Sequence, residues 1–176
     1  MTPRLQAKIP KFFGWQMNPG YDYYVWIDSN LTLAHPDTIK WLLDSCRDVE
    51  MVVLRHPKRN TITWEARYIQ RAIKEQSIYM MRRYEKEWGD AQMEEINSHK
   101  EYVDDLLVNG GIFIYRDTPG IRKMFKEWWY FTSRYTVMDQ CAFAYCIKKS
   151  GISYRALDVI YNDCPYLQHR KHYLHQ

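Results

Sequence analysis

The sequence predicts a single α/β domain over residues 1–176, with a short mixed or mostly parallel sheet flanked by helices. Apolar, β-favouring runs alternate along the chain with segments whose apolar residues recur at helical spacing, which is typical of this fold class. A length of 176 residues fits one domain with a sizeable core. The sequence also contains no internal repeat or low-complexity linker at which a second domain would begin.

The first predicted strand lies in residues 21–33, YDYYVWIDSNLTL. Its aromatic and β-branched residues favour a buried strand, and Asp28, Ser29 and Asn30 favour the turn that ends it. Because the run is apolar on both faces, we expect a central strand of a parallel sheet. Ligands of such sheets bind beyond the carboxyl ends of the strands, where Asp28 and Asn30 would offer oxygen ligands to a divalent cation. The alternative is an Asx-turn in which both side chains bond only to backbone.

Two helices and a strand are predicted between residues 36 and 88. Pro36 suits a first helical turn, and apolar residues follow it at helical spacing. Residues 51–54, MVVL, form a short apolar strand that ends in the polar run 55–59. Residues 63–88 have a charged side and an apolar side, which predicts a long helix with a break near Gln76 or Ser77 and a cap at Gly89.

The second half of the chain continues the alternation. Asn109, Gly110 and Gly111 lead into a strand at 112–115, and helices are predicted at 119–132 and 139–149, before strand character at 152–160. Residues 1–20 are basic and turn-like. We expect the His-rich, basic tail, residues 165–176, to be mobile.

The composition narrows the class of function. The net charge of +4 is interleaved with acidic residues, which does not indicate a nucleic-acid partner but suits a phosphate-bearing ligand. Aromatic residues make up 16% of the chain, and they serve either a core or stacking on sugar rings. No apolar segment is long enough to span a membrane and the N-terminus lacks the apolar core of a signal peptide, so we expect a cytoplasmic location. The four scattered cysteines predict reduced thiols without a zinc site.

Polar clusters mark four separate segments at the ends of predicted strands or the starts of predicted helices. They are Asp28-Ser29-Asn30, His56 to Arg59, Asn109-Gly110-Gly111 and Met138-Asp139-Gln140. We expect the loops that carry them to converge on one rim of the sheet. That rim would be the candidate functional site.

Each cluster also has an ordinary structural interpretation. The two glycines either allow close approach to a ligand or form a turn. Asp139 either takes part in catalysis or caps a helix, and Arg59 either holds phosphates or acceptor hydroxyls or is solvated. His169 is a candidate metal ligand, together with His172 and His175.

The order of these clusters resembles glycosyltransferases of the GT-A fold, and more closely the glycosyltransferase-like domain of the TOD1/MUCI70 type. The segments that carry the resemblance are AKIPKFF (7–13), YDYYVWIDSNLTL (21–33), LRHPKRNTITWEARYI (54–69), LVNGGIFIYR (107–116) and the region 128–145 with WW and MDQCAFAY. The resemblance implies transfer of a sugar from a nucleoside-diphosphate sugar to a carbohydrate or glycoconjugate acceptor. It also implies a GT-A-like fold.

The resemblance assigns roles to the clusters. Asp28 and Asn30 would match the triplet that binds the diphosphate and a divalent cation, Mn²⁺ or Mg²⁺, and His169 is added here as a third metal ligand. Asp139 and Gln140 would match the catalytic pair beside the reacting sugar. The remaining residues are assigned to substrate binding: Asn109, Gly110, Gly111, His56, Arg59 and Trp26.

Two features depart from the GT-A pattern. The triplet is Asp-Ser-Asn, so a single ligand is certainly charged and we expect weaker metal binding. Only 27 residues precede Asp28, which implies that the usual N-terminal nucleotide-binding half is missing. The chain would then be a fragment, be completed by another polypeptide, or be a reduced member of the family. The exposed sheet edge that results favours homo-oligomerisation or a completing partner chain.

Two further functions compete with sugar transfer. The first is a non-catalytic member of the same fold that binds carbohydrate or protein through its aromatic surface. The second is a metal-dependent phosphohydrolase built on Asp28, Asp139 and the basic loops, which would need a second carboxylate ligand near Asp28.

Overall fold

The computed structural model describes residues 1–170. The elements are, in chain order, α1 (Pro3–Gln6), α2 (Ile9–Met17), β1 (Tyr23–Ile27), β2 (Leu31–Leu33), α3 (Thr38–Ser45), β3 (Met51–Arg55), α4 (Ile62–Lys74), α5 (Ile78–Tyr84), α6 (Gly89–Ser98), β4 (Val108–Arg116), α7 (Pro119–Arg134), α8 (Gln140–Ser150), β5 (Tyr154–Leu157) and β6 (Leu167–His169).

The main sheet is mixed and has four strands in the order β1-β4-β3-β5. Strand β4 runs antiparallel to both β1 and β3, whereas β3 and β5 are parallel. Strands β2 and β6 form a separate antiparallel pair. The predicted α/β class with a short mixed sheet is therefore confirmed, and most of its strand pairs are antiparallel.

The prediction that β1 is a central strand of a parallel sheet is wrong. Strand β1 lies at the edge of the four-stranded sheet and, among the described strands, pairs with β4 alone, in antiparallel orientation. Its run is apolar on both faces because both faces are covered: Trp26 packs in the core on one side of the sheet, and Val25 packs in the core on the other. Burial of both faces does not by itself require a neighbour on both edges.

Side chains alternate between two cores on opposite faces of the sheet. In β4, Phe113 and Tyr115 point to the core formed with α7 and α8, whereas Ile112 and Ile114 point to the core that contains Leu42 of α3. This alternation follows from the two-residue period of a strand.

The central position of β4 brings the predicted loops together. Because β4 runs against its neighbours, its beginning lies beside the ends of β1 and β3. Ile27 faces Ile112, and Leu54 faces Asn109 beyond an irregularity in the pairing of β3 with β4. The Asp28 amide donates to the Gly111 carbonyl at 2.7 Å. The sequence led us to expect that the loops converge at the ends of parallel strands. In the structure they lie together because β4, between β1 and β3, runs antiparallel to both.

The N-terminal segment differs from the expectation of turns, and the described part of the C-terminal segment includes a strand. Residues 9–17 form α2, in which Pro10 occupies the first turn, where proline is tolerated, and Phe12 is fully buried. At the other end, β6 pairs with β2, so this part of the predicted tail is held by backbone hydrogen bonds. His172 and His175 lie outside the described residues.

The predicted long helix over 63–88 is divided where the sequence indicated. Gln76 has a φ of 60°, and α4 and α5 lie on either side of it. Gly89, however, begins α6 and does not cap α5. A Cβ at this position would meet no described atom within 4 Å, so the packing does not require a glycine here.

Candidate functional site

Asp139 forms two ion pairs at the start of α8. Its Oδ2 accepts hydrogen bonds from Lys8 Nζ and Lys11 Nζ, each at 2.7 Å. Lys8 and Lys11 are three residues apart at the beginning of α2 and therefore present their side chains on one face. We call these three residues the lysine–aspartate cluster.

Aromatic rings and a glycine enclose the buried Lys11 ammonium, whose residue is 4% exposed. Nζ lies 5.5 Å from the Trp128 ring centroid and 5.7 Å from that of Trp26, distances at which ring faces attract a cation. A Cβ at Gly110 would approach Nζ to 3.2 Å, so the predicted close approach at this glycine is made by a side chain of the protein.

The two lysines keep Asp139 ionised. Burial by itself would raise the pKa of this carboxyl, but the charges and hydrogen bonds of Lys11 and Lys8 lower it to about 2. Trp128 Nε1 donates to the Asp139 carbonyl at 2.7 Å, which fixes the backbone at this position. Asp139 makes no side-chain cap to α8 within the described part of the chain, so the capping interpretation does not apply.

Asp28 and its neighbours form a second cluster beside the first. Trp26 Nε1 donates to Asp28 Oδ1 at 2.7 Å, and the same indole lies next to Lys11. The Tyr161 hydroxyl is close enough to Gly111 that a Cβ there would lie 2.9 Å from it. Burial, reinforced by the Asp28 charge, raises the pKa of Tyr161. Asn109 Oδ1 accepts from the Gly111 amide at 3.1 Å.

Asn30 and His169 meet at the pairing of β2 with β6. Asn30 Nδ2 lies 3.0 Å from His169 Nε2, and the His169 ring stacks on Tyr161 with the planes 18° apart. The two residues are 139 positions apart in the sequence, so their proximity depends on β6. We call Asp28, Asn30, His169 and Tyr161 the triplet cluster.

The donor set of the triplet cluster fits a divalent cation that also takes oxygens from its substrate. It offers one carboxylate, one amide and one imidazole, and Mn²⁺ or Mg²⁺ commonly completes such a set with phosphate and water. A cation on His169 Nε2 would replace the hydrogen bond from Asn30. Within residues 1–170, no group of three or more His, Cys, Asp and Glu side chains is gathered to hold a metal ion. Substrate oxygens would therefore be needed.

Gln140 lies in a third cluster, with Glu65 at its centre. Gln140 Nε2 donates to Glu65 Oε1 at 2.7 Å, and Arg59 pairs with Glu65 Oε2. Glu65 is 2% exposed, and its charge is balanced by Arg59, whose guanidinium stacks on Tyr68 at 4.1 Å. His56, Arg59, Glu65 and Gln140 are called the glutamate cluster.

His56 shapes the loop that holds Arg59. Its Nδ1 accepts the backbone amides of Lys58 and Arg59 at 3.2 and 3.1 Å. Burial lowers the pKa of this imidazole despite the nearby Glu65 charge, so it is neutral at pH 7. His56 and Arg59 line a cavity of about 280 Å³ that also includes the half-exposed Trp64 ring.

The structure places the predicted site residues in or beside these three clusters, at the end of the sheet where β4 begins. Trp26 connects the triplet cluster to the lysine–aspartate cluster, and the peptide between Asp139 and Gln140 connects the latter to the glutamate cluster. The clusters supply two ammonium groups, the Asp28 carboxylate, the His169 imidazole and the exposed Trp64 indole. Such a set is suited to an anionic ligand that carries a sugar.

Five residues of this site were not predicted: Lys8, Lys11, Glu65, Trp64 and Tyr161. A signal existed for the lysines, because their three-residue spacing next to Phe12 and Phe13 places charge on the apolar side of a short helix. Glu65 follows the N-cap Thr61 by four residues and looks like an ordinary acidic residue in a first helical turn.

Comparison with protein families finds one match that spans nearly the whole chain. The model of the TOD1/MUCI70, glycosyltransferase-like domain matches residues 1–175. Comparisons with curated proteins and with solved structures return no match. Among the helices of residues 1–170, none combines the length and the apolar character that crossing a bilayer requires.

Proposed function

The chain belongs to the TOD1/MUCI70 family of glycosyltransferase-like domains, and from this premise we propose that it transfers a sugar from a nucleoside-diphosphate sugar to a carbohydrate or glycoconjugate acceptor. The observation that carries the proposal is the meeting of the triplet, lysine–aspartate and glutamate clusters at one end of the sheet. Each cluster joins residues that are far apart in the sequence. A GT-A-like arrangement remains part of this proposal.

The diphosphate of the donor would lie between the lysine–aspartate and triplet clusters. Lys8 has a side chain that is 24% exposed, so its ammonium can turn from Asp139 to a phosphate oxygen. Asp28, Asn30 and His169 would hold Mn²⁺ or Mg²⁺. When bound, the cation supplies charge neutralisation for the departing diphosphate.

Asp139 is proposed as the residue that positions the two lysines. A pKa of about 2 makes its carboxylate a weak base at neutral pH, so direct deprotonation of an acceptor hydroxyl is disfavoured while both lysines are in place. Its Oδ2 serves both ammonium groups. Gln140 and Asn109 would then orient the sugar hydroxyls, with Trp26 and Trp64 as stacking surfaces.

The weak basicity of Asp139 also favours a second candidate, a carbohydrate-binding domain without transferase activity. The same clusters would recognise a sugar phosphate or glycan, and no group would need to accept a proton. A glycosyltransferase should release the nucleoside diphosphate from its donor in the presence of acceptor glycans, whereas the binding domain should not.

The first test is calorimetric titration of the chain with UDP, GDP and their sugars, with and without Mn²⁺. Asp28→Asn keeps an acceptor for the Trp26 indole but removes the charge, so it should weaken metal-dependent donor binding at least tenfold. Lys8→Met should weaken donor binding with and without the metal. Asp48→Asn and Lys126→Met make the same changes at exposed positions outside the three clusters and serve as controls.

The titrations have clear negative outcomes. Donor binding unchanged in both Asp28→Asn and Lys8→Met would overturn the donor site. An absence of donor binding in the unmodified chain would overturn sugar transfer and leave glycan binding as the proposed function, to be checked on immobilised glycans.

The proposal also concerns the cell compartment of the protein and its assembly with other chains. All four cysteines are free thiols, which supports a reducing cytoplasmic environment. Strands β1 and β5 are the outer strands of the described sheet, which supports pairing with a second copy or a partner chain at an edge. Sedimentation of the purified chain over a range of concentrations tests self-association.

A further inference from the structure

We propose that a cavity between α4, α6 and the start of α8 binds a neutral ligand that carries a secondary amide on an apolar body. The cavity has a volume of about 290 Å³, at the small end of ligand pockets. It is lined by a buried glutamine, apolar side chains and an acidic rim. This ligand site lies outside the three clusters of the proposed transfer reaction.

Gln92 supplies the polar anchor. The residue is 1% exposed and lines the cavity, yet neither Nε2 nor Oε1 of its side chain has a hydrogen-bond partner among the described residues. A buried amide without partners is unfavourable, and such groups usually have a functional reason. A secondary amide of a ligand presents a carbonyl to Nε2 and an N–H to Oε1, so it would satisfy both atoms at once.

The remaining walls select for an apolar body. Ile69 and Ile73 of α4 line the cavity together with Met93, Met138 and Cys141. Methionine side chains adapt their shape to a ligand, and aliphatic walls favour a compact apolar group.

The charges at the rim select against anions. Glu85, Glu87 and Asp90 line the cavity, and Lys74 is the single cationic residue that does so among the described ones. Glu87 Oε2 already accepts the Val137 amide at 2.9 Å, so the protein itself holds this carboxylate at the rim. A carboxylate or phosphate ligand would meet net negative charge, whereas a neutral amide would not.

A matched pair of small molecules tests the amide requirement. N-benzylacetamide and benzyl acetate have nearly the same shape, but the ester lacks the N–H that would donate to Gln92 Oε1. We expect the amide to bind about tenfold more tightly than the ester, because the ester leaves a buried acceptor without a partner. In a chain labelled at the methionine methyl carbons, the NMR signals of Met93 and Met138 should shift on titration, and those of Met17 and Met124 should not.

Gln92→Met separates ligand recognition from a structural role. It should abolish the preference for the amide, and it should leave the melting temperature unchanged or raise it, because an unsatisfied polar group is removed. Gln16→Met makes the same change at an exposed position and should keep the preference. Equal binding of amide and ester to the unmodified chain would overturn the proposal. So would a preference that survives in Gln92→Met, or a marked loss of stability in that variant, which would show that the Gln92 amide is satisfied within the fold.

Discussion

Lys11 combines burial with charge, which is unusual for a lysine. Its ammonium has the Asp139 carboxylate at 2.7 Å and three aromatic rings within 6 Å. Taking two charges out of water is unfavourable, and the attraction between them offsets that penalty only while both are present. Removal of one partner therefore leaves an uncompensated buried charge. The pair therefore couples the proposed donor site to folding.

Asp139→Asn should lower the free energy of unfolding by about 3 kcal/mol at pH 7, because breaking a buried pair leaves Lys11 buried without its counter-charge. The measurement is urea denaturation followed by tryptophan fluorescence. Asp158→Asn is the matched control: Asp158 is exposed and pairs with Arg55 at 3.3 Å, so its loss should change stability by less than about 1 kcal/mol. Equal effects of the two substitutions would contradict the energetic role given to the lysine–aspartate cluster.

The loss of folding stability at acid pH should also depend on Asp139. Its pKa is about 2 in the folded chain, against an ordinary value of 3.8. The unfolded chain therefore binds more protons in this range, and stability that is present above pH 4 is lost as the pH falls toward 2. The contribution is about 2 kcal/mol.

Denaturation of the unmodified chain and of Asp139→Asn at pH 5 and pH 2.5 isolates this contribution, because the other carboxyls are common to both. The unmodified chain should lose more stability than the variant on acidification. Parallel losses would show that Asp139 has an ordinary pKa in the folded chain.

At the scale of elements, β4 is the strand on which the site depends. Its residue Gly111 accepts the Asp28 amide and lies against the Tyr161 hydroxyl, so it joins the end of β1 to the turn before β6. Gly111→Ala would place a Cβ 2.9 Å from that hydroxyl and 3.2 Å from Asn109 Oδ1. We expect a loss of about 2 kcal/mol from overpacking, since Tyr161 is held by its stacking on His169.

Gly89→Ala is the control for this prediction. A Cβ at Gly89 has no described neighbour within 4 Å, so the substitution should leave stability unchanged or raise it slightly. Thermal unfolding of both variants gives the comparison. A neutral Gly111→Ala would show that the Tyr161 turn moves freely away from β4.

Most elements could be predicted from local pattern. The apolar runs at β1, β3 and β4 and the helical spacing in α4, α7 and α8 were sufficient to locate them. Sheet order was harder, because β1 is apolar on both faces for a reason that lies elsewhere in the chain, namely the cover given by α2 on one face. The short strands β2 and β6 form by pairing with each other. The sequence of either segment alone does little to predict a strand.

The candidate site residues that lie in loops could be predicted, because they are polar residues beside apolar runs. Residues contributed by an element far away in the sequence were missed. Asp28, Asn109 and Asp139 stand out as polar residues beside apolar runs. The signal at Lys11 is weaker, because the breakers Pro10 and Gly14 around it also indicate a turn and its partner is 128 positions away. Pairing over such a distance is decided by the tertiary fold.

At the scale of the whole molecule, the two cores share a single sheet. Within Met51–Leu54 of β3 and Ile112–Tyr115 of β4, successive side chains enter the two cores alternately. If β3 and β4 separated, the apolar side chains of both cores would therefore become exposed together. This arrangement predicts one cooperative unit, in agreement with the single domain expected from the sequence.

Cysteine labelling tests this cooperativity at both cores. Cys46 lies in the core beside α3 and Cys146 in the core beside α7, both are fully buried, and burial raises the pKa of each thiol. Each should therefore react with a thiol reagent only after unfolding. With peptide mass spectrometry across a urea titration, labelling of the two residues should share one midpoint. The half-buried Cys164 serves as an internal control and should react at lower urea.

Separate midpoints for Cys46 and Cys146 would show that the two faces of the sheet unfold independently. The chain would then consist of two units joined by β3 and β4, and not of one domain.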